Sequence, residues 1–331
     1  MISNGCARLA AATWLLFGWA GGEAMAATLD ALAADGLYTW RVAATDDAPC
    51  WCCFGWTSGS PVARACDLDG QNVNYGTSDG FPATGGEMQI YALIESGKAE
   101  RIRVLSPQCP VTSRRDVIDL GVIDVDESLA WLKSRVTSSG SDSTDVLAAI
   151  AVHRGSAALR FLVDTAEDGP TMELRKGAIF WMSQARIPES AGDLERMMFR
   201  DESSEIRQHA AFSLSQSTAE NRSEALIRQG RKDDDSEVRS QAWFWLAQIG
   251  ASESEQELQW AIANDPDDDV REEAVFAMSQ LPEERAVDAL LGILNDPQMH
   301  REIREQALFW LVQSDSDRAY DYLDRLFAGR Q

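Results

Sequence analysis

The side chains best suited to chemistry in this 331-residue chain are cysteines gathered in one stretch. Beyond Cys6, the cysteines are Cys50, Cys52, Cys53, Cys66 and Cys109. The segment Cys50-Trp51-Cys52-Cys53 satisfies the C-x-x-C spacing, which suits a redox disulfide or a pair of zinc ligands. The chain lacks the βαβ pattern of redox proteins and a second matching pair for zinc. Structural disulfides are therefore the favoured interpretation.

Disulfides require an oxidising compartment, and the N-terminus predicts export to one. Residues 1–26 have the features of a secretory signal peptide: Arg8 in a short basic region, an apolar stretch from Leu9 to Ala20, and the cleavage signal Ala24-Met25-Ala26. We therefore expect a mature chain that begins near Ala27 and lies in the periplasm.

The mature chain has an odd number of cysteines, five. One thiol is then free or bonded to another chain. Among the possible pairings, we expect Cys66 and Cys109 each to bond to a member of the Cys50–Cys53 cluster.

The three histidines do not form a recognisable site. His153, His209 and His300 are scattered along the chain and fit ordinary helix surfaces. The chain also lacks a G-x-S-x-G elbow, a glycine-rich phosphate loop and the full ligand spacing of an EF-hand. We therefore predict no catalytic residue, no metal and no cofactor.

The composition argues against two classes of partner. The formal net charge of −23 comes from 53 acidic and 30 basic residues, and it opposes sequence-independent binding to nucleic acid or to an anionic membrane. Outside the N-terminal stretch, no apolar run approaches the roughly 20 residues of a membrane span. With 45% hydrophobic residues, the chain can bury the cores of two domains.

Residues 27–137 are predicted to form a small β-rich domain. Apolar residues alternate with their neighbours from Met88 to Ile94 and from Ile102 to Val104, on either side of a Ser96-Gly97-Lys98 turn. This pattern is typical of a β-hairpin. Further strands are expected over 37–44, 50–56 and 117–125, between clusters of turn-forming residues.

Helical spacing returns from Glu127 to Val136, where Asp126 is placed to cap the helix. Residues 138–145 contain no apolar side chain and predict a linker. Residues 146–331 are predicted to be helical repeats. They begin with a degenerate helix pair over 146–153 and 157–165, which shields one end of the repeats.

Five copies of one pattern follow, at steps of 32, 32, 32 and 33 residues. Each copy has Arg at its first position, then Ala, Phe and Gln at fixed places; the arginines are Arg175, Arg207, Arg239, Arg271 and Arg304. A period of this length is typical of two-helix units that stack to build one continuous core. The expected fold is mostly α, a right-handed α-solenoid preceded by a small β-rich, disulfide-containing domain.

These copies resemble the HEAT-like repeats first named from phycobilisome lyases, whose units share the pattern acid-x-Arg-x-x-Ala-x-x-x-Leu. The resemblance covers about Thr171 to Arg330, half of the chain, and implies the fold. The family has very diverse functions, so the fold alone implies no activity. Members similar to deoxyhypusine hydroxylase hold a di-iron site on His-Glu pairs, whereas each histidine here is followed by Arg or Ala.

Several repeated residues are expected to be structural. The acid two positions before each Arg meets the positive end of a helix dipole, an interaction of about 0.3–1 kcal/mol. We expect the arginines to tie together inter-repeat loops that carry Asp201, Asp233 and Asp265. After each Phe, large and small residues alternate from one repeat to the next, as close packing requires. We assign to the repeat core Trp181, Phe212, Trp245, Phe276 and Trp310.

The second helix of each repeat is expected to line the concave side of the solenoid, where a partner binds. Its inward anchors recur at 32-residue steps and are Leu194, Leu226 and Leu258. A residue two positions further on is rotated by about 200° and faces outward. This outward row comprises Arg196, Arg228, Trp260, Leu291 and Arg325. Arg and Trp are typical of interface hot spots, although Arg228 could instead pair with Glu224 and Arg325 with Asp321.

The sequence thus favours an exported, non-enzymatic adaptor that binds another envelope protein through the solenoid surface. We expect a monomer with a protein partner, no nucleic acid partner and no transmembrane span in the mature chain. The alternative is a redox or lyase-like enzyme that uses the Cys50–Cys53 cluster. A cluster that resists mild reductant would support the adaptor, and a low-pKa thiol that cycles would support the enzyme.

Overall fold

The structure is a computed structural model that describes residues 28, 29, 32, 34–45, 48–57, 60–70, 75–77, 86–137, 142–185, 187, 189–314 and 316–328. The predicted signal peptide, residues 1–26, lies outside the described residues. The chain divides into two compact units, Met1–Ser190 and Ala191–Gln331. We call them the N-terminal unit and the C-terminal unit.

The described part of the N-terminal unit contains three β-sheets. The described strands are β1 (Gly36–Ala43), β2 (Trp51–Thr57), β3 (Ser60–Ala63), β4 (Cys66–Asp67), β5 (Tyr75–Thr77), β6 (Glu87–Glu95), β7 (Lys98–Leu105), β8 (Val111–Thr112) and β9 (Val117–Val122). The main sheet has the order β7-β6-β1-β9, a second sheet has the order β3-β2-β5, and β4 pairs with β8. The strands predicted over 37–44, 50–56 and 117–125 are confirmed as β1, β2 and β9, although β9 ends at Val122, three residues earlier than predicted.

The predicted hairpin is confirmed in β6 and β7, which pair antiparallel on either side of Ser96 and Gly97. Both turn residues have positive φ, 53° and 71°. Two-residue turns of this kind match the twist of the flanking strands, and glycine adopts positive φ without a steric penalty. β6 is buried along its length except at its two ends, so the hairpin anchors the core of the sheet.

The helices follow the sheets. They are α1 (Val125–Lys133), α2 (Asp142–Ala151), α3 (Ser156–Asp168), α4 (Met172–Gln184), α5 (Ser190–Arg200), α6 (Ser204–Gln216), α7 (Arg222–Lys232), α8 (Ser236–Gln248), α9 (Ser254–Asn264), α10 (Asp268–Ser279), α11 (Glu283–Asn295), α12 (Arg301–Gln313) and α13 (Asp317–Ala328). The degenerate pair predicted at the start of the repeats is confirmed as α2 and α3. No described helix is long and apolar enough to cross a membrane.

Asp124 caps α1, so the prediction that Asp126 does so is wrong. The Asp124 carboxylate accepts hydrogen bonds from the backbone N–H groups of Asp126 and Glu127, over 2.9 and 3.4 Å. The helix begins earlier than predicted, at Val125. Asp126 therefore lies in the first turn, where its charge faces the positive end of the helix dipole.

The first helices after the sheet belong to the same compact unit as the sheet. α2 begins at Asp142, inside the predicted linker 138–145, and packs on β7. The unit ends at Ser190, further along the chain than that linker. The composition of 138–145 does not indicate this arrangement, because it arises from the packing of apolar residues such as Leu147 and Ile150, which are fully buried.

A buried hydrogen-bond network joins the sheet to α1 and α2. Trp40 Nε1 donates to Ser128 Oγ over 2.9 Å, and this oxygen lies 2.8 Å from His153 Nε2. His153 Nδ1 donates to the Ala149 carbonyl over 2.7 Å, so Nε2 must accept a hydrogen bond from the Ser128 hydroxyl. Burial lowers the pKa of His153 from 6.5 to about 4, because the charged ring is disfavoured away from water. The expectation that His153 lies on a helix surface is wrong.

Helices α4, α6, α8, α10 and α12 are the first helices of the repeats, and α5, α7, α9, α11 and α13 are the second helices. In the C-terminal unit, α6, α8, α10 and α12 pack side by side in one layer, and each second helix from α7 to α11 packs on the following first helix. Each first helix has an acidic residue in its first turn, as predicted; these are Glu173, Glu205, Glu237, Asp269 and Glu302.

Arginine and aspartate tie successive repeats of the C-terminal unit together, as predicted. Arg207 forms two hydrogen bonds with the Asp233 carboxylate, over 2.9 and 2.8 Å, and Arg239 forms two with Asp265, over 2.9 and 2.9 Å. The Nη1 atoms donate to the backbone oxygens of Asp201 and Asp233, each in the preceding loop. Each guanidinium thus joins two loops. The hydrogen bonds to the carboxylates raise the pKa of Arg207 and of Arg239.

The series of Arg–Asp pairs ends after Arg239. Arg271 donates to the Asp265 backbone oxygen over 3.0 Å, but its ion pair is with Asp268 of its own helix. The residue 32 positions after Asp265 is Pro297, which has no carboxylate. The last repeat is joined to the preceding one by other polar contacts, a 3.1 Å hydrogen bond from Gln306 to the Glu272 carboxylate and an Arg318–Asp288 ion pair.

The Arg239→Met substitution should destabilise the C-terminal unit by about 3–5 kcal/mol, because it leaves the Asp265 carboxylate buried without its partner. The two side chains are only 9% and 2% exposed. Urea denaturation monitored by circular dichroism measures the effect. The matched control is Arg301→Met, which removes an 82% exposed arginine and should leave stability nearly unchanged. Equal losses in the two variants would contradict the structural role of the pair.

The N-terminal unit should lose stability as pH falls from 6.5 to 4. The folded-state pKa of His153 is below the unfolded value, so the unfolded chain binds the extra proton first in this window. The contribution of neutral His153 to the free energy of unfolding is complete above pH 6.5, and about 3 kcal/mol of this contribution should be lost by pH 4. Native-state hydrogen exchange in β1 and α2 measures it. In His153→Gln the same segments should show a shallower pH dependence, and identical slopes would show that His153 is not responsible.

Candidate interaction surface

The cysteines of the N-terminal unit form disulfides, and the expected partners of Cys66 and Cys109 are confirmed. Cys52 is bonded to Cys109 and Cys53 to Cys66, with Cα–Cα distances of 5.5 and 5.1 Å. Cys50 is also disulfide-bonded. The described part of the chain therefore contains no free cysteine, and the unpaired thiol expected from the odd count is not found there.

The C-x-x-C segment does not form an internal disulfide. Cys53 bonds to Cys66 rather than to Cys50, and both Cys50 and Cys53 are buried in the core of the N-terminal unit. Redox C-x-x-C sites use the two cysteines as a pair that a substrate can reach. The cluster is instead part of a hydrophobic core, where it connects β2 to distant segments of the chain.

The strand that carries these cysteines also packs on the first repeat. Trp51 in β2 contacts Trp181 in α4, with ring centroids 5.3 Å apart and an edge-to-face angle of 62°. Both rings are buried. Trp181 therefore lies in the core, as predicted, but a tryptophan of the β-sheet region forms part of that core.

Six aromatic rings on the first helices of the C-terminal unit form a continuous series, which we call the aromatic band. Its members are Phe212 on α6, Trp245 and Phe244 on α8, Phe276 on α10, and Trp310 and Phe309 on α12. In this order, neighbouring ring centroids lie 4.8, 4.8, 5.8, 4.8 and 4.9 Å apart. These distances are typical of favourable aromatic pairs.

The aromatic band lies at the surface edge of the repeats. Phe212, Trp245, Phe276 and Trp310, assigned to the core from the sequence, are each partly exposed, and Phe309 is 53% exposed. The small residues that alternate with the tryptophans, Ser213 and Ala277, are fully buried. The alternation of large and small residues therefore lets each indole lie against a neighbouring Phe at the surface.

Helix geometry explains why the phenylalanines of the aromatic band are exposed. Every repeat has an Ala at the same position of its first helix, and the Phe of the repeat stands two residues further on, as Phe244 does after Ala242. These alanines are fully buried. A residue two positions further is rotated by about 200° and faces away from the core. The same rotation, taken from the sequence alone, predicts that these Phe side chains face outward.

Trp243 is the indole that fills the interior of the C-terminal unit, and the sequence analysis missed it. It is fully buried against Gly230 of α7, where a Cβ atom would lie 2.5 Å from its ring. No other repeat has Trp at this position. A glycine inside a helix costs about 1 kcal/mol of stability relative to alanine. Gly230 therefore indicated, from the sequence, that a large side chain of a neighbouring helix packs against this point of α7.

Arg228, in the predicted outward row, contacts the neighbouring repeat. It forms an ion pair with Glu195 of α5, and its guanidinium carbon lies 3.9 Å from the ring centroid of Phe199. The alternative pairing with Glu224 is therefore wrong, because the acid of the adjacent helix is within reach. Arg228 joins two second helices.

Trp260 is also in contact with other side chains of the unit. Its ring lies 4.5 Å from the guanidinium carbon of Arg231 and its centroid is 6.3 Å from that of Trp243. Arg231 in turn forms an ion pair of 2.6 Å with Glu257. The ring is therefore partly buried, and it extends the packing around Trp243 toward the surface.

The other members of the outward row have local contacts. Arg196 pairs with Asp193 one turn earlier, over 2.5 Å. Arg325 donates to the backbone oxygen of Asp321 over 3.1 Å, rather than to its carboxylate as the alternative predicted. Leu291 is partly exposed. The row thus contains paired arginines and offers less unpartnered apolar surface than the aromatic band.

The histidines lie in separate places. His153 is in the N-terminal unit, His209 is on α6, and His300 precedes α12, where its Nδ1 is 3.2 Å from a Glu302 carboxylate oxygen. Across the described residues, no three His, Cys, Asp or Glu side chains are grouped as metal ligands.

The repeat assignment agrees with a known family of repeats. The family model for HEAT repeats matches residues 159–243 and 223–312. No curated protein matches the chain. A structure of human deoxyhypusine hydroxylase in complex with glycerol is 16% identical, covers 58% of this chain and 73% of that chain, and has a TM-score of 0.32. A structure of the CpcE and CpcF complex of phycocyanin lyase from Nostoc sp. PCC7120 is 18% identical, covers 61% and 93%, and has a TM-score of 0.33.

Peptide mapping of protein purified from its native source without reductant should recover the Cys52–Cys109 and Cys53–Cys66 linkages. Because these cysteines are buried, mild reductant should leave both linkages intact until denaturant is added. The Cys53→Ser/Cys66→Ser variant serves as the control that lacks one linkage. A Cys50–Cys53 linkage that opens and re-forms in the folded protein would contradict the structural role and support the redox alternative.

Proposed function

We propose that this chain, whose residues 159–312 are HEAT repeats, is an exported, non-enzymatic adaptor that binds another protein of the cell envelope. The observation that carries the proposal is the aromatic band, a row of six rings in contact that runs across four first helices and is partly exposed throughout. Contiguous exposed apolar surface on a soluble protein is typical of an interaction site, and aromatic residues are enriched there.

The repeats hold this surface in a fixed arrangement. The Arg207–Asp233 and Arg239–Asp265 pairs clamp successive loops, and Trp243 packs the layer beneath. A surface that is ordered before binding loses little conformational entropy when a partner docks. This supports a docking role for the repeats.

The N-terminal features support export. Residues 1–26 have the composition of a signal peptide, and disulfides such as Cys52–Cys109 and Cys53–Cys66 persist in oxidising compartments. The alternative function, a redox or lyase-like enzyme at the Cys50–Cys53 cluster, has less support, because the cysteines of this cluster are buried and disulfide-bonded, Cys52 to Cys109 and Cys53 to Cys66. The outward row with Arg228 and Trp260 is the second candidate surface.

A photo-cross-linker at position 312 should capture one predominant protein from an envelope extract. Val312 is 47% exposed and lies one turn after Phe309, beside the aromatic band. The same cross-linker at Lys98, an exposed residue of the β-hairpin turn, is the control and should not capture that protein.

Introducing Phe309→Ser should reduce the cross-link at position 312 at least about tenfold, a loss of about 1.4 kcal/mol of binding. Melting should change little because this ring is 53% exposed. Mass spectrometry identifies the product. No product from position 312, or an equal yield with Phe309→Ser, would contradict the adaptor function at this surface.

A further inference from the structure

We propose that the outer face of the fifth repeat docks a helical repeat of the partner protein, one that carries an aspartate in the loop before its first helix. The inference rests on the proposed adaptor function and specifies the chemistry of the partner. We call this surface the end face; its residues are Arg304, Glu305, Leu308 and Val312 on α12 and Leu323 on α13.

Apolar positions that are buried in the earlier repeats of the C-terminal unit are open to solvent in the fifth. Leu308 stands four residues after Arg304 and is partly exposed. The residues at the same position of the earlier repeats are fully buried and are Ala211, Trp243 and Val275. Leu323 of α13 is likewise partly exposed. Its equivalents on the earlier second helices are fully buried and are Leu194, Leu226, Leu258 and Leu290.

In the earlier repeats, these positions are covered by the first helix of the next repeat. That helix packs both on the preceding first helix and on the preceding second helix, as α10 packs on α8 and α9. No described helix follows α13, so the corresponding sides of α12 and α13 are uncovered. Val312 is 47% exposed, at a position that is buried as Ser215 and Ala247. The terminal repeats of a solenoid normally present a polar outer face, so an apolar one is typical of an interaction site.

Arg304 identifies a chemical group that the docked repeat supplies. Its Nε atom is buried and has no hydrogen-bond partner among the described residues. In two earlier repeats the same atom donates over 2.9 Å to an aspartate 26 residues later; the pairs are Arg207–Asp233 and Arg239–Asp265. The residue 26 positions after Arg304 is Arg330, whose side chain has no acceptor. A buried donor without an acceptor is destabilising, so the end face favours a partner that places a carboxylate there.

Glu305 favours a hydrogen-bond donor on the docked helix. Glu272 holds the same position in the fourth repeat, where it accepts a 3.1 Å hydrogen bond from Gln306 on the next first helix. Glu305 is 58% exposed and pairs with Arg301 of its own helix. An amide or a cationic side chain at the position of Gln306 in a docked repeat would lie beside Glu305. A repeat of the same kind therefore matches the apolar, cationic and acidic groups of the end face together.

A second copy of the chain matches the end face less well than another protein does. At the start of the repeats, α4 packs against α2 and α3, and α2 packs on β7, so this end is covered. A second copy could therefore offer only another end face. That face has the same unpaired Nε of Arg304 and no loop aspartate for it.

The test adds a repeat of known structure to the full mature chain. In this extended chain, a copy of residues 265–296 replaces residues 330 and 331, so that the copied Asp265 stands 26 residues after Arg304. The copy contains α10 and α11 and carries Glu273→Gln, which offers an amide to Glu305. Amide hydrogen exchange in α12 should slow at least about tenfold relative to the unextended chain, because the added repeat covers the end face. Unchanged exchange in α12 would overturn the proposal.

Variants of the extended chain test the predicted ion pair. Arg304→Met, and separately Asp265→Asn in the copy alone, should each remove most of the added protection. Because the two groups act on each other, the double variant should lose little more than either single one. The matched control is Arg301→Met, which removes the same charge from an 82% exposed site of the same helix and should change protection less than about twofold. Equal losses from Arg304→Met and Arg301→Met would show that the pair does not form.

Measurements on the unextended chain separate the possible occupants. Arg304→Met should reduce the cross-link from position 312 to the envelope protein at least about fivefold, and Arg301→Met should not, while circular dichroism shows that both variants melt normally. Sedimentation velocity should give a monomer. A dimer that Arg304→Met or Leu308→Ser dissociates would show that a second copy occupies the end face, against the proposal.

The two proposals fail separately. If the added repeat protects α12 through Arg304 and position 312 captures no envelope protein, the end face has the proposed specificity and the envelope adaptor function is wrong. If the cross-link at position 312 depends on Phe309 and the added repeat leaves α12 unprotected, the adaptor function stands and the repeat-binding end face is wrong.

Discussion

The arginine–aspartate pairs are the constraint on which the arrangement of the C-terminal unit depends. Each buried guanidinium holds its own loop through a backbone carbonyl and the next loop through a carboxylate, as Arg239 does with Asp233 and Asp265. A buried charge that loses its partner is strongly destabilising, so the two loops cannot separate without a large penalty. The pairs fix the spacing from α6 to α8 and from α8 to α10, and with it the distances between the rings that these three helices carry.

The features that the sequence predicted well are those that repeat or that have few possible partners. The 32-residue period aligned Arg207 with Arg239 and Asp233 with Asp265, so their pairing could be inferred before any distance was known. The disulfide partners of Cys66 and Cys109 followed because the other mature cysteines are clustered. The partner of Arg228 could not be inferred in this way, because helix spacing points to Glu224 whereas packing between helices brings Glu195 within reach.

The aromatic residues show where periodicity was insufficient. The repetition of Phe and Trp indicated that these positions are packed. A helix in a stack, however, has one face toward the core and a flank toward the neighbouring helices. Large apolar residues are favoured on both, so their recurrence does not tell the two apart. Phe244 and Phe276 stack at the flank, partly exposed, whereas the interior is filled by Trp243, which belongs to no repeated position. The angular relation to the buried alanines separates the two faces, and composition does not.

The acidic residues beside the aromatic band oppose direct contact between two such bands. Two copies that met through their aromatic bands would bring their rows of carboxylates together, because Glu237 and Asp269 lie on the same side of their helices as the rings. Like charges that are brought close together at an interface cost several kcal/mol of binding free energy. A basic ligand gains from the same charges. The acids that start each helix therefore have two physical effects: they stabilise the first turns of the repeats, and they favour cationic over anionic groups beside the aromatic band.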